Sequence, residues 1–169
     1  SRVITVLSCN VQDCRSGSER LLWEFGRVDA DILILQEAPR CEPIIQRYSD
    51  RHILQHGEYT IVSRYPVRQV EEVRTSRDVD DWRRLSAILF EVDGPHGPFQ
   101  VVNVHCHTAR WGLGELSWHS IVTGYGVDEF EMHQNKREAE MEELAEFCEE
   151  ASERMPTIIA GDLNTPSSS

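Results

Sequence analysis

A chain of 169 residues predicts one domain, long enough to bury a hydrophobic core. A composition of 40% hydrophobic and 27% charged residues predicts a soluble globular protein. The net charge of −12 argues against non-specific binding of nucleic acid, which needs a basic surface.

No apolar run approaches the ~20 residues of a membrane span and no export signal is visible, so no transmembrane segment is expected. Cys9, Cys14, Cys41, Cys106 and Cys148 are odd in number and scattered, without a CxxC pair. They read as reduced thiols, and the expected location is cytoplasmic.

In chain order, Val3 to Cys9 is β-rich and reads as a strand ending at Asn10. Ser16-Gly17-Ser18-Glu19 opens a short amphipathic helix whose apolar stripe is Leu21, Leu22, Phe25 and Val28. Asp31 to Glu37 carries a continuous apolar core, the pattern of a strand buried on both faces. Cys41 to Tyr48 predicts a second short helix. Strands are then expected over Arg51–Gln55, Tyr59–Ser63, Val67–Arg74, Leu85–Val92 and Phe99–Val104, separated by turn-forming runs. Thr108 to Phe130 reads as irregular and carries Trp111 and Trp118, with Tyr125 in the same stretch. A loop of that length is commonly functional. Met132 to Met155 predicts a long helix with Met141, Leu144, Ala145, Cys148 and Ala151 on one face and a solvated acidic face opposite. Pro156 ends it. Thr157–Ala160 is the last strand, and Gly161 should close it with a turn.

Four expected strands deliver polar groups at their ends. The first stops at Asn10, the second at Glu37, the fifth of the later series at Asn103-Val104-His105, and the last at Asp162-Leu163-Asn164. Singly, each has an ordinary reading: a cap, an exposed strand end, a core histidine, a turn. Together they would build a cleft of carboxylate, amide and imidazole groups at one rim of a sandwich. Oxygen donors favour Mg²⁺ or Mn²⁺ over zinc. Such an ion beside a histidine suits phosphoester hydrolysis by water.

The motifs resemble the endonuclease/exonuclease/phosphatase superfamily. The resemblance rests on Leu7-Ser8-Cys9-Asn10-Val11, Asp31 to Glu37, Gly57 to Val67, Val102-Asn103-Val104-His105 and Gly161-Asp162-Leu163-Asn164. It implies an α+β fold, a four-layer α/β/β/α sandwich of two packed mixed sheets. It implies Glu37 as the principal metal ligand with Asn10 beside it. His105 would meet the scissile phosphate, Asp162 would orient or activate water, and Asn164 would hold a phosphate oxygen or the metal. Asn103 and Arg84 are carried as substrate-binding candidates. The implied cofactor is Mg²⁺ or Mn²⁺, and the substrate a phosphate ester of nucleic acid, phospholipid or a small phosphodiester. The family's later acidic residue and near-terminal Asp-His do not follow Asn164. The expectation is therefore a C-terminally truncated, incomplete sandwich of low activity. Two other readings stay open: an inactive fragment serving as an interaction module, and a zinc protein using His105, Cys106 and His107. The aromatic stretch could stack a base, meet a lipid or pack as a lid.

Overall fold

The computed structural model describes residues 3–15, 17–39, 41–75, 85–106 and 125–164. Alternating apolar side chains build two four-stranded sheets. The first holds β1 (Val6–Asn10), β2 (Ile32–Gln36), β3 (His52–His56) and β4 (Tyr59–Ser63), in the order β1-β2-β4-β3. The second holds β5 (Val67–Val73), β6 (Ala87–Gly94), β7 (Gly97–His105) and β8 (Thr157–Asp162), in sequence order. Strands β1 and β2 pair in parallel, as do β7 and β8, and the remaining pairings are antiparallel. A parallel pair needs a crossover. Helix α1 (Ser18–Val28) lies in the first crossover and helix α3 (Tyr125–Arg154) in the second.

The period of two along each strand sorts the core into layers. On β2, Leu33 and Leu35 turn outward to Phe25 of α1 and to Ile44 of the short helix α2 (Glu42–Arg47), with Tyr48 beside them. Ile32 and Ile34 turn inward, and with Tyr59 and Ile61 of β4 they meet Ile88, Phe90 and Val92 of β6 and Phe99 and Val101 of β7. The outer face of the second sheet, with Leu89, Val102 and Val104, packs on Leu144 and Cys148 of α3. The result is helix, sheet, sheet, helix. Each fully buried Ile, Leu or Phe contributes about 1.5–3 kcal/mol, so the inter-sheet layer dominates stability.

The expected strands are present, most with ends shifted by one to three residues. Three expectations are corrected. Helix α3 begins at Tyr125, so Tyr125 to Phe130 are helical rather than irregular. Its buried face includes Glu140, with Ser86 Oγ donating to Glu140 Oε1 at 3.0 Å, while Ala145 is exposed. The acidic side of α3 is therefore not wholly solvated. Strand β8 also runs through Gly161 to Asp162 instead of stopping at Ala160. A Cβ on Gly161 would collide with the Val104 carbonyl of β7, so the glycine is there for close strand approach rather than for a turn. Among the described residues, no helix is long and apolar enough to cross a membrane.

Candidate active site

The site is the last rung of the inter-sheet core. On β1 the inward row is Val6, Ser8 and Asn10; on β2 it is Ile32, Ile34 and Gln36. On β7 it is Val101, Asn103 and His105; on β8 it is Ile158, Ala160 and Asp162. Each row starts apolar and turns polar at one end of the sandwich. Register then sets neighbours: Asn10 lies opposite Gln36, and His105 lies opposite Asp162.

Glu37 follows Gln36 and by strict alternation would face the helices. Its backbone instead takes a left-handed conformation, φ 49°, which redirects the side chain to the rim. Asn10 Nδ2 donates to Glu37 Oε1 and to Asp162 Oδ2, each at 2.9 Å. One amide thus joins the carboxylates of the two sheets. His105, with its side chain 7% exposed, sits between two glutamates. Its Nδ1 is 2.9 Å from Glu58 Oε1, and its Nε2 is 3.6 Å from Glu37 Oε1. A carboxylate can only accept, so Nδ1 carries the proton shared with Glu58 and Nε2 faces the Glu37 side. Asp162 Oδ1 accepts the Asn164 backbone N–H at 2.9 Å, and Asn164 Nδ2 donates to the Cys106 carbonyl at 2.7 Å.

Asn10, Glu37, His105, Asp162 and Asn164 therefore gather at one rim. Asn103 lies behind it, fully buried, and does not face a substrate. Its Oδ1 accepts from Gln36 Nε2 at 2.6 Å and its Nδ2 donates to the Leu35 carbonyl at 3.0 Å. It cross-links the sheets beneath the site. Asn10 Oδ1 accepts the Gln12 backbone N–H at 3.0 Å, while its amide N–H groups hold the two carboxylates. Arg84, His107, Trp111 and Trp118 lie outside the described residues. Cys106 is fully buried with Sγ 3.6 Å from Met141 Sδ of α3, on the opposite side of β7 from His105, so a zinc pair with His105 is excluded.

Glu58 is the member that the sequence did not reveal. It sits in the β3–β4 turn, pinned by its carbonyl accepting the Ala38 N–H at 2.8 Å. A glutamate in a hairpin turn carries no local signal of a distant histidine.

The donor set suits a hydrated Mg²⁺ or Mn²⁺. Glu37 has a side chain 41% exposed, and among the described residues nothing hydrogen-bonds its Oε2. Such ions keep several waters and take one or two protein carboxylates. Among the described residues, no group of three or more His, Cys, Asp or Glu is placed to hold a metal ion together.

The sequence profile of the Endonuclease/Exonuclease/phosphatase family matches residues 7–169. No curated protein sequence matches the chain. Several solved structures share the fold. A humanised D. rerio TDP2 superposes with a TM-score of 0.66 at 16% identity, covering 97% of this chain and 67% of that one. Sphingomyelinase C from Streptomyces griseocarneus gives 0.63 at 16% identity, covering 100% and 67%. A variant of the Neisseria 3′ phosphatase NExo, bound to a product DNA hairpin, gives 0.60 at 21% identity, covering 96% and 58%. The chain spans between 48% and 68% of the length of such solved chains.

Proposed function

The chain belongs to the Endonuclease/Exonuclease/phosphatase family, and from that premise we propose that it hydrolyses a phosphate ester by attack of water, assisted by Mg²⁺ or Mn²⁺. The observation that supports this reading is the convergence of Asn10, Glu37, Glu58, His105 and Asp162 from both sheets onto one rim. Glu37 would hold the cation. When bound, a divalent ion neutralises charge on the phosphoryl oxygens and the leaving group.

The chain's own residues do the rest. Asn10 fixes the spacing of Glu37 and Asp162. Asp162 is held by two donors and keeps lone pairs to orient a water and take its proton. Glu58 accepts from Nδ1 and fixes the tilt of His105, and with a proton on Nε2 as well the ring would donate to the phosphate and stabilise charge as it develops. Asn164 spends one amide hydrogen on Cys106 and keeps the other for a phosphate oxygen. The net charge of −12 favours a substrate presenting a single phosphate over one gripped along a nucleic-acid backbone.

The test is hydrolysis of an aryl phosphodiester and an aryl phosphomonoester with and without Mg²⁺ or Mn²⁺, beside Glu37→Gln. Turnover that needs the cation and falls at least about 100-fold in the variant supports the reading. Binding of Mg²⁺ that depends on Glu37, with no turnover of any phosphate ester tried, would instead make the chain a non-catalytic binding module.

A further inference from the structure

Two segments that carry site residues each end on a cysteine, and the two sulfurs meet. Cys14 closes the 3-10 turn Gln12–Cys14 that follows Asn10, and Cys41 closes the loop that follows Glu37. Cys14 Sγ lies 2.6 Å from Cys41 Sγ, across 27 residues of sequence, and both are free thiols. The approach is built into the backbone. Val11 N–H donates to the Gln36 carbonyl at 3.0 Å, and Asp13 N–H donates to the Glu37 carbonyl at 2.7 Å. Gln12, Asp13 and Cys14 then take left-handed φ values of 48°, 53° and 57°. Three such non-glycine residues in succession are costly. The conformation they adopt brings Cys14 onto Cys41. Cys41 is 1% exposed within the layer formed by Phe25, Ile44 and Tyr48, whereas Cys14 is half-buried.

We propose that Cys14 and Cys41 form a reversible disulfide that ties the Asn10 segment to the Glu37 segment. The oxidant is a low-molecular-weight disulfide. Cys14 is the more open of the pair and reacts first. Its thiolate attacks the small disulfide, forming a mixed disulfide and releasing one small thiol. Cys41 then loses its proton and attacks the Cys14 sulfur, expelling the second small thiol. Two protein thiols are oxidised and one small disulfide is reduced to two thiols. Burial, followed by the neighbouring Cys14, pushes the Cys41 thiol up to about 12. That suppresses its reaction with reagents in bulk solvent, while contact with Cys14 gives the internal step its high effective concentration. Of the other thiols, Cys106 is buried beneath α3 and Cys148 lies on the packed face of α3, both at the far face of the second sheet. The inference stands apart from the proposed hydrolysis, because its readouts are covalent and thermal.

The experiment equilibrates the full chain in oxidised or reduced glutathione, alkylates it, digests it with trypsin and maps it by mass spectrometry without reduction. Oxidation should join peptide Val3–Arg15 to peptide Cys41–Arg47, and dithiothreitol should separate them. Cys9 and Cys14 share the first peptide, so the link should persist in Cys9→Ser and vanish in Cys14→Ser. Fragmenting the linked wild-type peptide between Cys9 and Cys14 decides the same point without a substitution. The oxidised protein should melt about 10 °C above the reduced protein. Separate alkylation of Cys14 and Cys41 after oxidation overturns the proposal, as does a link through Cys9 or a melting temperature unchanged by the link.

Discussion

Glu58 and Glu37 show how much a single residue's setting decides. Glu58 touches His105 and no other described side chain of the site, so its contribution is to position the imidazole. Glu58→Gln keeps the shape but replaces an acceptor-only group with an amide that can present either donor or acceptor. Expected is a fall in kcat of about 10- to 100-fold with little change in KM, as for other groups that orient an imidazole. The pH profile of kcat should change shape as well. A profile and kcat equal to wild type would remove Glu58 from the mechanism. Glu37 reaches the rim only because its backbone is left-handed. Nothing in the run Ile32 to Gln36 announces that reversal, although the strand itself is legible from its apolar residues. Asn103 makes the opposite point. Its Asn-x-His spacing marks it as a site residue, yet both ends of its amide are spent between the sheets.

At the scale of elements, the critical piece is the pairing of β7 with β8. It places His105 opposite Asp162 and Val104 opposite Gly161. A methyl group on Gly161 has no room beside the Val104 carbonyl, so β8 would have to move away from β7. Gly161→Ala is expected to destabilise by about 3 kcal/mol, an overpacking cost. That corresponds to a drop in melting temperature of roughly 6–12 °C for a chain of this size, read by circular dichroism. A variant within about 2 °C of wild type would show that the two strands separate without cost. Helix α3 is an element whose sequence pattern was legible in type and less so in extent. The apolar residues from Met141 to Ala151 mark its packed half, but they do not mark the start at Tyr125, and the inward turn of Glu140 depends on Ser86 beneath it.

For the whole molecule, the two sheets are held by an apolar layer and stitched at one end by polar bonds. Gln36 to Asn103, Asn103 to Leu35 and Asn10 to Asp162 all cross between sheets. Each such bond is worth only about 1 kcal/mol net, but leaving one partner buried and unpaired costs more. The polar end therefore fixes register more than it supplies stability. The same end gathers the carboxylates of Glu37, Glu58 and Asp162 around a single histidine. A bound divalent cation would relieve their mutual repulsion and stabilise the folded chain. At a Mg²⁺ concentration about 100 times its Kd the gain is about 2.7 kcal/mol. Melting temperature should then rise by roughly 5–10 °C, with no comparable rise from a monovalent salt and none in Glu37→Gln. An equal rise in that variant would place the cation elsewhere.

The sequence by itself determined the strands, the helices and the residue types at four strand ends, because apolar periodicity and turn chemistry act over a few residues. The quoted motifs carried the family, which the profile match over residues 7–169 bears out, together with the mixed two-sheet sandwich. Only the tertiary structure decided which polar groups meet. Glu58 joins His105 from 47 residues away, Asn10 joins Asp162 from 152 away, and Cys14 joins Cys41 from 27 away. Those meetings depend on strand register, on the stacking of one sheet upon the other and on a few left-handed backbone turns. Each of these is set by the packing of the whole chain, so no local stretch of sequence encodes them.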